Sequence, residues 1–272
     1  MCLSIDGVSH IINIEIEGDD AMVFYILLIL VTMILFRKTE RAFTQAPKLE
    51  IFFCLSWFLF YFLLAMMSMQ FELQLVNEIS NWLFFVLFPL LITARLRKES
   101  LKKTLHEIGI KRFDKKTGLK TLLVCLIYIV IVFTMFSAGE ETDITIEDIP
   151  KIVAYLPLFW ILMILTAGFT EEFFFRGVLQ RCMMNALKRP CTAILISSIL
   201  FGLYHFPFAF YLWEGVSGSV IDSLKMILTE HVAAGIAHGL LYDKTSKNLW
   251  SSILLHSLSN AAIMALGIGA LR

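Results

Sequence analysis

The chain has 272 residues with no net charge, and 58% of them are hydrophobic while only 17% are charged. That apolar share is above the range of ordinary soluble domains and is typical of a protein that crosses a lipid bilayer several times. The balance of Lys and Arg against Asp and Glu gives no indication of a nucleic-acid partner.

Apolar runs of a length that can span a bilayer recur from one end of the chain to the other. We predict eight transmembrane helices, over residues 21–36, 51–69, 80–95, 121–138, 152–175, 191–212, 224–241 and 249–270. The expected fold is therefore all-α, a polytopic membrane helical bundle. Residues 1–20 carry no pattern that can be assigned.

The connections between these runs alternate between basic and acidic. Most of the 23 Lys and Arg residues lie in the segments 37–50, 95–120, 181–190 and 242–248, whereas the other connections are acidic. Because cytoplasmic loops retain Lys and Arg, we predict that these four segments face the cytoplasm. Both termini should then lie outside, in a multi-pass protein of the plasma membrane.

The longest basic segment, 95–120, divides the chain into two predicted regions. Residues 1–120 form an N-terminal transmembrane region that ends in this cytoplasmic loop, and residues 121–272 form a C-terminal transmembrane region. We expect the loop to lie as a helical segment on the membrane face. We favour the interpretation that its basic residues set the orientation of the chain in the membrane. Binding to lipid or protein is the alternative.

Three short polar motifs interrupt the apolar runs of the C-terminal region. They are Glu171-Glu172-xxx-Arg176, Phe201-xxx-His205 and His256-xxx-Asn260. Ionisable side chains are costly in hydrocarbon, so those that occur there are usually functional. Carboxylates, imidazoles and amides can act as a base, hold a water or a metal, or donate to an oxyanion.

Glu172 and Arg176 are four residues apart, so they share one helix face and can form an ion pair. Glu171 lies about 100° further around the helix, which leaves it available for chemistry. The alternative is that the two carboxylates are anchors at the membrane interface. Because both lie deeper in the predicted span than Arg176, we favour a function.

The second motif ends at His205, directly before Phe206-Pro207. Proline removes a backbone donor and clashes with the preceding turn, so we predict a helix kink that makes room for water. A lone histidine inside a membrane is as often a hydrogen-bonding partner of another helix. The two neighbouring motifs favour a catalytic role for His205.

The third motif places His256 and Asn260 on one helix face. Each can supply an N–H donor, and two aimed donors are what an oxyanion hole requires. Hydrogen bonding between helices is the alternative.

The seventh predicted span holds His231 and His238, seven residues apart and hence on one face. We expect both to be packing or supporting residues, with metal ligation as the lesser alternative. Gly235 and Gly239 indicate that another helix packs closely here.

Taken in order, the three motifs resemble the CPBP superfamily, over roughly residues 150–265. Its members include type II CAAX prenyl endopeptidases and the bacteriocin-processing or bacteriocin-immunity (Abi) proteins. The resemblance implies an all-helical intramembrane endopeptidase that cleaves membrane-associated or lipid-modified peptides and proteins. Either CAAX-type or leader-peptide processing fits, at a site that opens toward the cytoplasm.

Carried over residue by residue, the resemblance implies four catalytic side chains. Glu171 and His205 would activate water, and His256 and Asn260 would stabilise the oxyanion, with Glu172 and Arg176 at accessory positions. We expect no cofactor, because the chain has no HExxH and Asn is a poor zinc ligand. Members of the superfamily have been described as zinc enzymes, so zinc stays the alternative. Its candidate ligands are His205, His256, His231 and His238.

Two other functions stay open at this stage. The first is a non-enzymatic protein for bacteriocin self-immunity or membrane scaffolding, which the intact motifs disfavour. The second is a proton-linked transporter, because Glu and His chains serve as proton relays. We rank the transporter last because the sequence has no evident inverted repeat.

The charge pattern predicts which loops a membrane-impermeant thiol reagent can reach. In a variant with its native cysteines replaced by serine, Glu140→Cys should be labelled in intact cells. Lys103→Cys should be labelled only after the cells are permeabilised. Labelling of position 103 in intact cells would reverse the predicted topology.

Overall fold

The computed structural model of the chain describes residues 18–36, 48–73, 78–138, 145–213 and 215–270. All regular structure within these ranges is helical, which confirms the all-α prediction. The helices are α1 Gly18–Leu35, α2 Lys48–Gln70, α3 78–97, α4 Leu101–Ile108, α5 Lys115–Ala138, α6 Ile149–Leu187, α7 Pro190–Tyr204, α8 Phe206–Tyr211, α9 220–244 and α10 Leu249–Ala270.

The membrane-spanning character of the chain is clear from these helices. Six of the described stretches are long and apolar enough to cross a bilayer, namely α2, α3, α5, α6, α7 with α8, and α10. The shorter apolar stretch Val23–Leu35 lies in α1. The seventh predicted run, 224–241, is helical within α9 but is not among these spans. Residues 1–17, 37–47 and 139–144, which bear on the predicted loops and termini, lie outside the described residues.

Helix α6 is much longer than the predicted span 152–175, which was wrong at its C-terminal end. It has 39 residues and would be about 58 Å long if straight, against about 30 Å of hydrocarbon. The helix is kinked in the π-helical turn Ile164–Gly168, where Thr166 has φ −112° and ψ −112°. The Glu171-Glu172-xxx-Arg176 motif therefore lies just after a break, in the middle of the helix.

Most of the predicted basic connection 181–190 is also helical, because its first cation is neutralised inside the protein. The buried Arg181 guanidinium lies 3.4 Å from a Glu107 oxygen and 3.6 Å from a Glu50 oxygen. Arg97 binds the same two carboxylates, each at 2.8 Å. These four side chains join α2, α3, α4 and α6. They lie at the end of the bundle that carries the basic segments 95–120, 181–190 and 242–248, the basic end. Hydropathy along one segment cannot show such partners from other segments.

The bundle has two apolar clusters, and both take side chains from early and late parts of the chain. One packs Tyr61 and Phe85 against Phe174 and Phe175, and the other includes Leu28. The packing of described residues thus joins the two predicted regions, and the division at residue 120 stays a prediction.

Small residues let the helices that carry the motifs approach closely. At Gly168 a Cβ atom would overlap Ser257 Oγ on α10. At Gly235 it would lie 2.9 Å from Ser198 Cβ on α7. The Gln180 amide of α6 donates to the Gly239 carbonyl at 2.9 Å. The predicted close packing at Gly235 and Gly239 is therefore confirmed.

Gly168→Ala should destabilise the protein, because the added Cβ would overlap Ser257 and lie 2.9 Å from the Met163 carbonyl. Overpacking of this kind costs about 1–3 kcal/mol. Gly118→Ala is the matched control, since its nearest neighbour, Phe113 Cβ, would be at an ordinary 3.6 Å. Thermal unfolding in detergent should show a lower midpoint for Gly168→Ala alone. Equal midpoints for the two variants would contradict the close contact.

Candidate active site

His205 occupies the break between α7 and α8, so the predicted kink before Pro207 is confirmed. Its Nδ1 lies 2.9 Å from the Phe201 carbonyl oxygen. A carbonyl can only accept, so Nδ1 carries the proton and donates it. In the neutral ring, Nε2 then presents a lone pair.

Glu171 lies between two imidazoles from different helices. Its Oε2 atom is 3.8 Å from His205 Nε2 and 3.8 Å from His256 Nε2. Hydropathy alone would place these two histidines at different depths, yet both lie near the same carboxylate oxygen. Separations of this size are too long for direct hydrogen bonds, so any hydrogen bonding between these groups would need a water to mediate it.

The predicted pair of Glu172 and Arg176 is confirmed, with Arg176 Nε 3.2 Å from Glu172 Oε2. Helix α6 continues past Arg176 to Leu187, and the side chains of Glu172 and Arg176 are both fully buried. The guanidinium also lies 4.7 Å from the centre of the Phe201 ring. A buried cation at this depth requires such partners.

The other oxygen of Glu172 holds the histidine of the third motif. His256 Nδ1 lies 3.0 Å from Glu172 Oε1, and His238 Nδ1 lies 3.5 Å from the same atom. The rings of His238 and His256 stack with their centres 4.9 Å apart. His238 therefore supports the site through Glu172 and His256.

The bond to Glu172 changes what His256 can donate. A neutral ring with its proton on Nδ1 has no proton on Nε2, the nitrogen that faces Glu171. His256 can donate from Nε2 only as an imidazolium. Asn260 lies one turn further along α10 and is half-buried.

Among the described residues, one group of side chains has the spacing of metal ligands. It comprises Glu172, His238 and His256, whose ligand atoms lie within 4.8 Å of one another. The ion pair with Arg176 makes this group a poor fit for a divalent cation, because the guanidinium charge would oppose it. The sequence analysis did not include Glu172 among the zinc ligands.

His231 and Trp213 form a wall on the far side of His205. The His231 ring is centred 4.2 Å from that of His205 and stacks on Trp213 at 5.1 Å. Trp213 precedes a turn and belongs to no motif, so its place beside the site was not predicted from the sequence. His231 is thus a packing residue for His205, as predicted.

One protein family matches the part of the chain that carries the three motifs. Residues 153–262 match the family model described as type II CAAX prenyl endopeptidase Rce1-like. The matched range contains all three motifs. No curated protein and no solved structure matches the chain.

Arg176→Met should destabilise the fold strongly, because it leaves the buried Glu172 carboxylate without its cation. The loss of one partner of such a pair costs about 3–5 kcal/mol. The double variant Glu172→Gln/Arg176→Met should recover part of this loss, since neither charge then remains. Thermal unfolding of the single and double variants measures the difference. A single variant as stable as the double would contradict the pairing.

Proposed function

Because residues 153–262 match the model of the Rce1-like type II CAAX prenyl endopeptidases, we propose that the chain cleaves membrane-associated or lipid-modified peptides and proteins. The observation that carries this proposal is the convergence of Glu171, His205 and His256 inside an apolar bundle. CAAX-type processing is the preferred reaction, and leader-peptide processing is the second candidate.

In the proposed reaction, Glu171 and His205 activate a water molecule. Both Glu171 Oε2 and His205 Nε2 are acceptors, because the His205 proton is directed to Phe201. A water between them would donate one proton to each and aim its lone pair at the substrate carbonyl. Glu171 then takes the proton as general base and returns it to the leaving amine.

His256 and Asn260 stabilise the oxyanion in this proposal. His256 is the histidine that lies near both carboxylates, at 3.0 Å from Glu172 and 3.8 Å from Glu171. It would donate to the oxyanion from Nε2 in the form that carries a proton on both ring nitrogens.

This mechanism uses no metal. Two carboxylates, two imidazoles and an amide supply the base and the donors that peptide hydrolysis requires. Zinc stays the alternative, with His205, His256, His231 and His238 as the ligands expected from the sequence and Glu172 as a further one.

The site should open at the basic end of the bundle. His256 lies seven residues after the start of α10 at Leu249, which is about 10 Å along the helix axis. The basic segment 242–248 directly precedes that start. If this end faces the cytoplasm, the scissile bond lies near the cytoplasmic surface of the membrane.

The proposal is tested by cleavage of a panel of membrane-inserted peptides by the purified protein. The panel should contain prenylated CAAX-type peptides and hydrophobic leader peptides, each with and without a chelator. We expect cleavage that survives chelation. Activity that is lost on chelation and restored by zinc would overturn the metal-free mechanism. A folded protein that cleaves no peptide of either class would favour a scaffold or immunity protein.

Asn260→Ala should lower kcat by about 100- to 1,000-fold, the usual effect of losing one oxyanion donor. Substrate affinity should change little, because the donor acts on charge that develops in the transition state. Ser252→Ala is the control on the same helix, since its hydroxyl donates to the nearby Leu249 carbonyl, at 3.1 Å. An Asn260→Ala enzyme with normal kcat would remove Asn260 from the mechanism.

A further inference from the structure

A second concave site lies at the basic end of the bundle, separate from Glu171 and its histidines. It is an open pocket of about 480 Å³ lined by Ile110, Lys111, Arg112, Phe113 and Trp250. The first four come from the segment between α4 and α5, and Trp250 belongs to the first turn of α10. Cations and apolar side chains thus share one cavity.

The walls of this pocket are held in place by backbone contacts. The Leu249 N–H donates to the Gly109 carbonyl at 3.0 Å. The Asn248 amide donates to the carbonyls of Lys111 and Arg112 at 3.5 Å and 3.4 Å. Gly109 has φ +114°, and a Cβ there would overlap the Lys247 carbonyl. The basic segment is therefore fixed against the start of α10.

The turn before α10 is also strained, since Ser246 and Lys247 have φ of 56° and 58°. Neither residue is glycine, and two such residues in succession are unfavourable. The Lys111 ammonium donates to the Ser246 carbonyl at 2.6 Å, which ties this turn to the pocket. Strain of this kind persists only where contacts with the surrounding structure hold the backbone in that conformation.

The pocket has positive charge that the described part of the chain does not neutralise. Burial lowers the pKa of the Lys111 ammonium because the charged form loses hydration. The exposed Arg112 guanidinium makes no ion pair with a described residue. The adjacent acid, Asp114, accepts from the Thr117 N–H at 2.9 Å and so belongs to the start of α5.

We propose that this pocket binds the headgroup of an anionic phospholipid. The phosphate would lie between Lys111 and Arg112, and the glycerol and first acyl carbons would pack on Phe113, Ile110 and Trp250. Three features favour a lipid over a soluble phosphate: the apolar walls, a position at the end of a membrane helix, and an aromatic side chain at headgroup level. The basic end would face the anionic leaflet.

A bound lipid would contact the helix that carries the third motif. Trp250 lies six residues before His256, and its ring is centred 6.0 Å from that of Phe169. Phe169 precedes Glu171 by two residues on α6. The proposed site therefore contacts both helices of the candidate active site without including its catalytic residues.

The test is lipid retention by the purified full-length protein, measured by native mass spectrometry from micelles that contain phosphatidylglycerol or phosphatidylcholine. We expect preferential retention of phosphatidylglycerol. The variant Lys111→Gln/Arg112→Gln should reduce this preference by about 25-fold, or about fivefold for each cation. The control Lys115→Gln/Lys116→Gln removes two exposed cations nearby and should change it by less than about fivefold.

Equal losses in the two double variants would overturn the proposal, because they would indicate diffuse attraction to the basic surface. An absence of preference for phosphatidylglycerol in the wild-type protein would also overturn it. Full displacement of the lipid by millimolar glycerol phosphate would indicate a soluble phosphate site instead. If the first double variant does not fold, Arg112→Gln alone should give the fivefold loss, since its side chain is exposed.

Discussion

The buried carboxylate of Glu172 is the group on which the candidate active site depends. One of its oxygens holds the Arg176 guanidinium at 3.2 Å, and the other holds the His256 ring at 3.0 Å. A buried charge in an apolar bundle is costly unless an opposite charge pairs with it. Glu172 thus fixes α6 and α10 relative to each other and orients the imidazole that faces Glu171.

Two adjacent carboxylates therefore have different tasks because of their helix positions. Glu172 points toward Arg176 one turn away, and Glu171 points about 100° away, toward the break that bears His205. The close contact of Gly168 with Ser257 lets α10 approach α6 one turn before the pair. His256 can reach both carboxylates from that approach. The proposed division between a structural and a catalytic glutamate follows from this geometry.

Much of this arrangement was accessible from the sequence, because local spacing sets it. The i, i+4 relation predicted the Glu172–Arg176 pair, and Pro207 predicted the break at His205. Contacts between distant segments were not accessible. The burial of Arg181 depends on Glu50 and Glu107, which lie on other helices. For the same reason hydropathy ended α6 too early, and the bond from His256 to Glu172 was not foreseen.

The separate roles of Glu171 and Glu172 are tested by comparing Glu171→Gln with Glu172→Gln in one preparation, with peptide turnover and thermal unfolding measured on both. Glu171→Gln should abolish turnover and leave the unfolding midpoint close to that of the wild type, because Arg176 keeps its partner. Glu172→Gln should lower the midpoint, because it leaves a buried guanidinium without its carboxylate. Near-normal turnover by Glu171→Gln, or the same loss of stability in both variants, would contradict the account.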